Sequence, residues 1–162
     1  MRANKLSKIL LCAFILSTSI TSVAQTNSDE AAILTTVDRF FEAMTARDAN
    51  ALRSLTIPGS LSIWAANPPE AKELNMINYA QMISRFSGEG PVLLERYWDP
   101  TVLIEGNIAV FWAPYDFHID GEFSHCGIDS FQLVKREGQW LLSNLSWTRQ
   151  YDNCEPSPLG PV

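Results

Sequence analysis

Three two-residue turn signals constrain this chain more than any other feature. Gly106-Asn107, Asp120-Gly121 and Glu137-Gly138 punctuate a stretch from Pro91 to Tyr151 that is rich in β-branched and aromatic residues. A two-residue connection joins antiparallel neighbours and leaves no room for a parallel crossover, so the stretch predicts four antiparallel strands in a meander. Upstream the pattern is helical. Asn27 with Glu30 reads as a capping pair, and Ile33, Val37, Phe40, Phe41 and Met44 then share one helix face. Asp48 is placed to cap a short second helix with Ala51, Leu52 and Leu55 inward, ended by Pro58-Gly59. A brief strand at 61–65 and a third helix at 77–86, burying Ala80, Ile83 and Tyr79, complete the first half. Helices first and strands last give the α+β class, with N-terminal helices packed on one face of a curved antiparallel sheet.

The first 24 residues read as an export signal. Arg2, Lys5 and Lys8 precede an apolar run at 9–16, and Ser22-Val23-Ala24 supplies the small residues of a cleavage site after Ala24. The run is well short of the roughly 18 to 20 residues that span a bilayer. Cleavage removes three cations and no acid, so 12 Lys+Arg against 18 Asp+Glu become 9 against 18, and the formal charge moves from -6 to -9. Such a surface repels nucleic-acid phosphate and anionic lipid, so neither nucleic acid nor, after cleavage, a membrane is expected as partner. Cys126 and Cys154 remain, and in a periplasmic or secreted chain they are expected to form a disulfide. The rest reads as one domain at 25–154 and a flexible, Pro-rich tail at 155–162.

Taken as two-residue hairpins, the turns set a register. Asp116 then faces His125, which faces Gln150, with Tyr97 on the other side of Asp116, while Trp112 faces Asp129. These residues share a sheet face with Leu103, Val110, Phe131 and Trp140, and a cleft that is apolar at one end and polar at the other is the usual form of a small-ligand site. The ligand-binding candidates are Tyr97, Trp112, His118, Asp129 and Trp140. Asp116 beside His125 is the candidate catalytic pair, a carboxylate orienting an imidazole for proton transfer, with a structural cross-strand pair as the plainer alternative. Two histidines without a third firm ligand make a poor metal site, and no phosphate loop or dinucleotide fingerprint is present, so no metal and no cofactor are expected. The opposite face, centred on Phe111, Tyr115 and Trp147, is apolar too and predicts a homodimer through the outer side of the sheet.

The order helix, short helix, helix, then a meander closing with Gly138-Gln139-Trp140-Leu141-Leu142 resembles the nuclear transport factor 2-like (NTF2-like, SnoaL-like) superfamily. Val102 to Asn107, Tyr115-Asp116-Phe117 and His125 to Leu133 are similar to its exported bacterial branch described as lumazine-binding proteins. The resemblance implies a cone-shaped fold for the whole mature chain. Because that scaffold hosts isomerases, dehydratases, polyketide cyclases and non-catalytic binding modules, it implies a pocket rather than a reaction. Two readings follow: an exported protein that binds a small, partly aromatic molecule, or an isomerase- or dehydratase-type enzyme that uses Asp116 and His125 to move a proton.

Overall fold

The computed structural model describes residues 18–66 and 74–162. Three helices, α1 (Thr18–Thr45), α2 (Ala49–Leu55) and α3 (Tyr79–Arg85), pack on a seven-stranded sheet. Its strands are β1 (Thr56–Ala66), β2 (Leu74–Asn78), β3 (Leu93–Tyr97), β4 (Thr101–Glu105), β5 (Ile108–Ile119), β6 (Glu122–Arg136) and β7 (Gln139–Arg149). The spatial order is β2-β1-β7-β6-β5-β3, and β4 shares the long β5 with β3.

Most of the helical pattern holds. Ile33, Val37, Phe40, Phe41 and Met44 are all buried on the α1 face toward the sheet. The Asp48 carboxylate accepts from the backbone N–H groups of Asn50 and Ala51 and starts α2. Asn78 and Gln81 form a reciprocal capping box that starts α3, which buries Met82 and Ile83 while Ala80 stays exposed. Asn27 does not cap: no Gly or Pro interrupts 18–30, and α1 runs through it from Thr18. Residues 1–17 of the expected signal peptide lie outside the described residues. Among the described residues no helix is long and apolar enough to cross a membrane.

The sheet is mixed rather than antiparallel throughout, because β1 runs parallel to β7. Short hairpins forbid crossovers only between consecutive strands, and everything from β2 to β6 lies between these two. Pro58-Gly59 falls at an irregularity in that ladder, between Thr56 and Leu61, rather than at a helix end.

The hairpin registers are right beside each turn and wrong one bulge away. Ile119 faces Glu122 and His118 faces Phe123, as the turn dictates, but beyond Ser124 the pairing slips so that Phe117 faces His125 and Asp116 faces Cys126. Ser143 causes a second slip in β7, so Asp129 faces Trp147 and Ala113 while Trp112 faces Ser130. Asp99, at φ 44, causes a third, placing Tyr97 opposite Tyr115 and Arg96 opposite Asp116. The reason is a parity conflict. The apolar residues of β5 (Ala109, Phe111, Ala113, Tyr115, Phe117) and those of β6 (Phe131, Leu133) must share the helix-facing side, whereas the two-residue turn pairs odd positions with even ones. One extra residue reconciles them. The Ser143 hydroxyl donates to the Gln132 carbonyl oxygen at 3.0 Å and satisfies the backbone at its bulge.

Two corrections follow. Phe111 is 0% and Tyr115 1% exposed, in the core beneath α1, so these residues are not a dimer surface. The outer face is the one bearing Leu103, Ile108 and Trp112, 64%, 60% and 50% exposed.

Cys126 and Cys154 form a disulfide, with Cα atoms 6.0 Å apart. Cys126 and Gln150 exchange two backbone hydrogen bonds, and the chain then reverses through Asn153 at φ 54, which returns Cys154 to the sheet.

Candidate functional site

With the parity settled, β3, β5, β6 and β7 aim Glu95, Tyr115, His125, Asp129, Trp147 and Arg149 into the interior, where they line a cavity of about 40 Å³ closed on the helix side by Phe40, Phe41, Met44 and Phe86. Phe117 and His125 stack at 4.8 Å, and Tyr115 stands edge-on to the same imidazole at 5.7 Å. Gly127, opposite Tyr115, is required here: a Cβ would collide with the Thr148 carbonyl oxygen, which accepts the Tyr115 hydroxyl at 2.8 Å.

The polar element of this cavity is a pair of carboxyls. Asp129 is 1% exposed, and no N–H or hydroxyl donor reaches either of its oxygens. The carboxyl of Glu95 does, which needs a proton on one of the two. Burial pushes Glu95 up to about 7, against the hydrogen bond from Asp129 and the charge of Arg149, while burial and the charge of Glu95 raise Asp129 well above the carboxylate range. Arg149 lines the cavity but stacks on Trp64 at 4.4 Å, and its buried Nε has no hydrogen-bond partner. His125 is pushed down to about 3 by burial and by Arg149, so its imidazole is neutral at ordinary pH.

Outside the cone lies a groove of about 850 Å³ between α1 and β3, whose walls include Asp38, Glu42, Tyr97 and Trp98. Glu95 and Phe41 line both groove and cavity, so they form the partition between them.

The expected catalytic pair is not assembled. Asp116 and His125 belong to opposite faces because Ser124 intervenes. Asp116, on the outer face, accepts two bonds from Arg96, Nε to Oδ1 at 2.9 Å and Nη2 to Oδ2 at 2.5 Å, and lies 3.5 Å from His118 Nε2. Burial alone would raise its pKa, but Arg96 and His118 outweigh it and hold the carboxyl below the usual range. Trp112, expected in the pocket, stands on the outer face.

The other candidates separate. Tyr97 is in the groove wall, its hydroxyl donating to Asp38 at 2.7 Å. Trp140 sits at the far end of the core, where its indole N–H donates at 3.2 Å to Asp29, a carboxylate also bound by Lys135. Asp129 is the one candidate inside the cavity whose oxygens lack an ordinary donor. Glu95 and Arg149 were missed by sequence reasoning. Leu93-Leu94-Glu95-Arg96-Tyr97 alternates, so an inward Glu95 was readable once Tyr97 was placed inward.

By sequence, no family model and no curated protein matches the chain. By structure it is similar to an NTF2-like protein with a cystatin-like fold from Novosphingobium aromaticivorans, at 14% identity, TM-score 0.65, covering 88% of this chain and 94% of that one. The chain has the NTF2-like fold. An NTF2-like protein from Cytophaga hutchinsonii is similar at 14% identity and TM-score 0.64, over 75% and 98% of the two chains. A protein of unknown function from Mycobacterium tuberculosis is similar at 10% identity and TM-score 0.65, over 82% and 78%. At these identities the likeness establishes the NTF2-like architecture of three helices on an open sheet, and the chemistry rests on the residues described above.

Proposed function

We propose that this is an exported NTF2-like protein that binds a small, partly aromatic molecule in the groove between α1 and β3, with the Glu95–Asp129 carboxyl pair at the inner end of the site. The observation that carries this reading is the shared partition. Phe41 offers an aromatic face and Glu95 a carboxyl to anything in the groove, and both open onto a cavity that holds a carboxyl without an ordinary donor. The test is a thermal-shift screen of the mature protein against aromatic heterocycles, pterins and ketones. A hit that Phe41→Ala abolishes and Asp116→Asn leaves unchanged supports the groove. A hit insensitive to Phe41 and Glu95 but lost with Trp112→Ala would move the site to the outer face.

The second reading is an isomerase- or dehydratase-type enzyme, and what favours it is a carboxyl near 7 at the edge of the cavity, suited to give and take a proton at neutral pH. The proton-transfer role then belongs to Glu95 and Asp129, because neutral His125 is stacked among aromatic rings and Asp116 is tied to Arg96. The disulfide, the N-terminal sequence and the acidic surface support export to the periplasm or medium. The exposed apolar side chains of Leu103, Ile108 and Trp112 on the outer face support pairing of two copies there, which sedimentation of wild type against Trp112→Glu tests.

A further inference from the structure

The groove and the cavity behind it are lopsided in charge. Asp38, Glu42 and Glu95 face the groove, and its one cation, Arg96, is held by Asp116. Inside, two carboxyls face one guanidinium, and that guanidinium is stacked on Trp64. Asp129 is 1% exposed and without an N–H or hydroxyl donor, which is the environment of an acceptor awaiting a donor from outside the chain. The cavity, about 40 Å³, exceeds the roughly 10 to 15 Å³ needed to seat one water, so it has room for a small polar head group. Its walls include the aromatic side chains of Phe41, Tyr115, Phe117, Phe131 and Trp147, whose ring faces attract a cation.

We infer that the site takes an organic ammonium: a primary amine whose head group passes Phe41 and sits between Glu95 and Asp129, while its apolar or aromatic body lies in the groove. This rests on the groove being the binding site, and it names the class of ligand. An ammonium supplies three donors to carboxyls that otherwise share one proton, and a formal charge of -9 on the mature chain, 9 Lys+Arg against 18 Asp+Glu, draws cations toward it. Binding expels the shared proton. The groups facing it are Glu95 from β3, Tyr115 and Asp116 from β5, Asp129 and His125 from β6 and Arg149 from β7, with Asp38 and Glu42 of α1 across the groove. Among these, Glu95 has a pKa that burial places near neutrality, so affinity rises with pH through about 7.

The test is calorimetry on the mature protein with three indole probes of similar shape: tryptamine, the neutral tryptophol and the anionic indole-3-acetate. Tryptamine is expected to bind at least tenfold tighter than tryptophol and to release a proton, read as a heat that depends on the buffer. Glu95→Gln should erase that preference by weakening tryptamine at least tenfold more than it weakens tryptophol, and should remove the buffer-dependent proton release. Asp129→Asn is the second variant, with circular dichroism confirming that each is folded. Tryptophol binding as tightly as tryptamine, with loss in Phe41→Ala, overturns the ammonium inference and keeps the groove as a binding site. Indole-3-acetate binding tightest overturns it in favour of Arg149. Silence from all three probes overturns it as well, and the groove reading then stands or falls on the wider screen.

Discussion

Glu95 and Arg96 are adjacent in the chain, yet they serve two regions that solve the same problem in opposite ways. Arg96 leaves the outer side of β3 and meets Asp116 with two hydrogen bonds; Glu95 leaves the inner side and meets Asp129, another acid. Both regions bury carboxyls. In the outer one the charge is matched and the carboxyl stays ionised, so the cluster holds strands β3 and β5 together. In the inner one Arg149 offsets the charge only in part and burial wins, so the carboxyls keep a proton and the pair costs stability at neutral pH. A buried acid with a bidentate arginine reads as architecture, and a buried acid facing another acid reads as a site.

Removing the outer partner should have the largest effect. Arg96→Ala leaves Asp116 buried and uncompensated, and because the Arg96 side chain is 17% accessible the loss falls at the low end for a broken buried pair, about 3 kcal/mol in chemical denaturation. Ligand response should persist. Unchanged stability with lost binding would reverse the roles of the two regions.

Close behind comes the strap beside that cluster. Cys126 faces Asp116, and its bridge to Cys154, 28 residues away, should contribute about 3 kcal/mol on the chain-entropy account. The Cys126→Ser, Cys154→Ser double variant should therefore melt earlier and still bind. If it binds less well, the outer face takes part in the site.

Gly127→Ala acts on the inner wall. The new methyl group meets the Thr148 carbonyl oxygen, so the β6–β7 ladder has to shift and Tyr115 loses its seat, at about 2 kcal/mol. Ligand affinity should fall with stability, in contrast to Arg96→Ala.

The smallest effect carries a sign. The folded chain holds the Glu95 proton up to about 7 against an ordinary 4.5, so this group favours folding at low pH and that contribution is withdrawn as pH rises between those values. The full shift would be worth about 2.5 kcal/mol between pH 5 and 8, and because Glu95 is only half-buried, Glu95→Gln should gain about 1 kcal/mol of it on wild type over that range. His125, pushed down to about 3, acts in the opposite direction in both proteins and cancels in the comparison. A difference that is flat with pH would place Glu95 in water.

Much of the fold was legible. The buried stripe from Ile33 to Met44, the Asp48 cap and the three hairpins follow from spacing and turn chemistry, and the Cys126–Cys154 pairing from these being the two cysteines left in a chain read as exported. The faces did not follow, because turn geometry and core alternation disagree in parity and only a bulge reconciles them. The signal was present. In β7 the inward positions change from buried Trp140 and Leu142 to buried Leu145 and half-buried Trp147 across Ser143, which cannot happen on an unbroken strand. Of the site, Asp129 was found because strand alternation puts it on the face of Phe131 and Leu133, although its partner is Ala113 rather than Trp112. Glu95 was not, although alternation from an inward Tyr97 carries Glu95 to the same side, because an acid beside an arginine on a short strand looks like a solvated edge.

The central claim is that Glu95 and Asp129 share a proton inside the cone at neutral pH. The direct measurement is a carboxyl-carbon NMR titration of protein labelled at the Glu and Asp side chains, compared with Glu95→Gln. One Glu carboxyl should titrate near 7 and vanish in the variant, and one Asp should remain protonated beyond the rest. If every carboxyl titrates below pH 5, the pair is not buried together and the account is wrong.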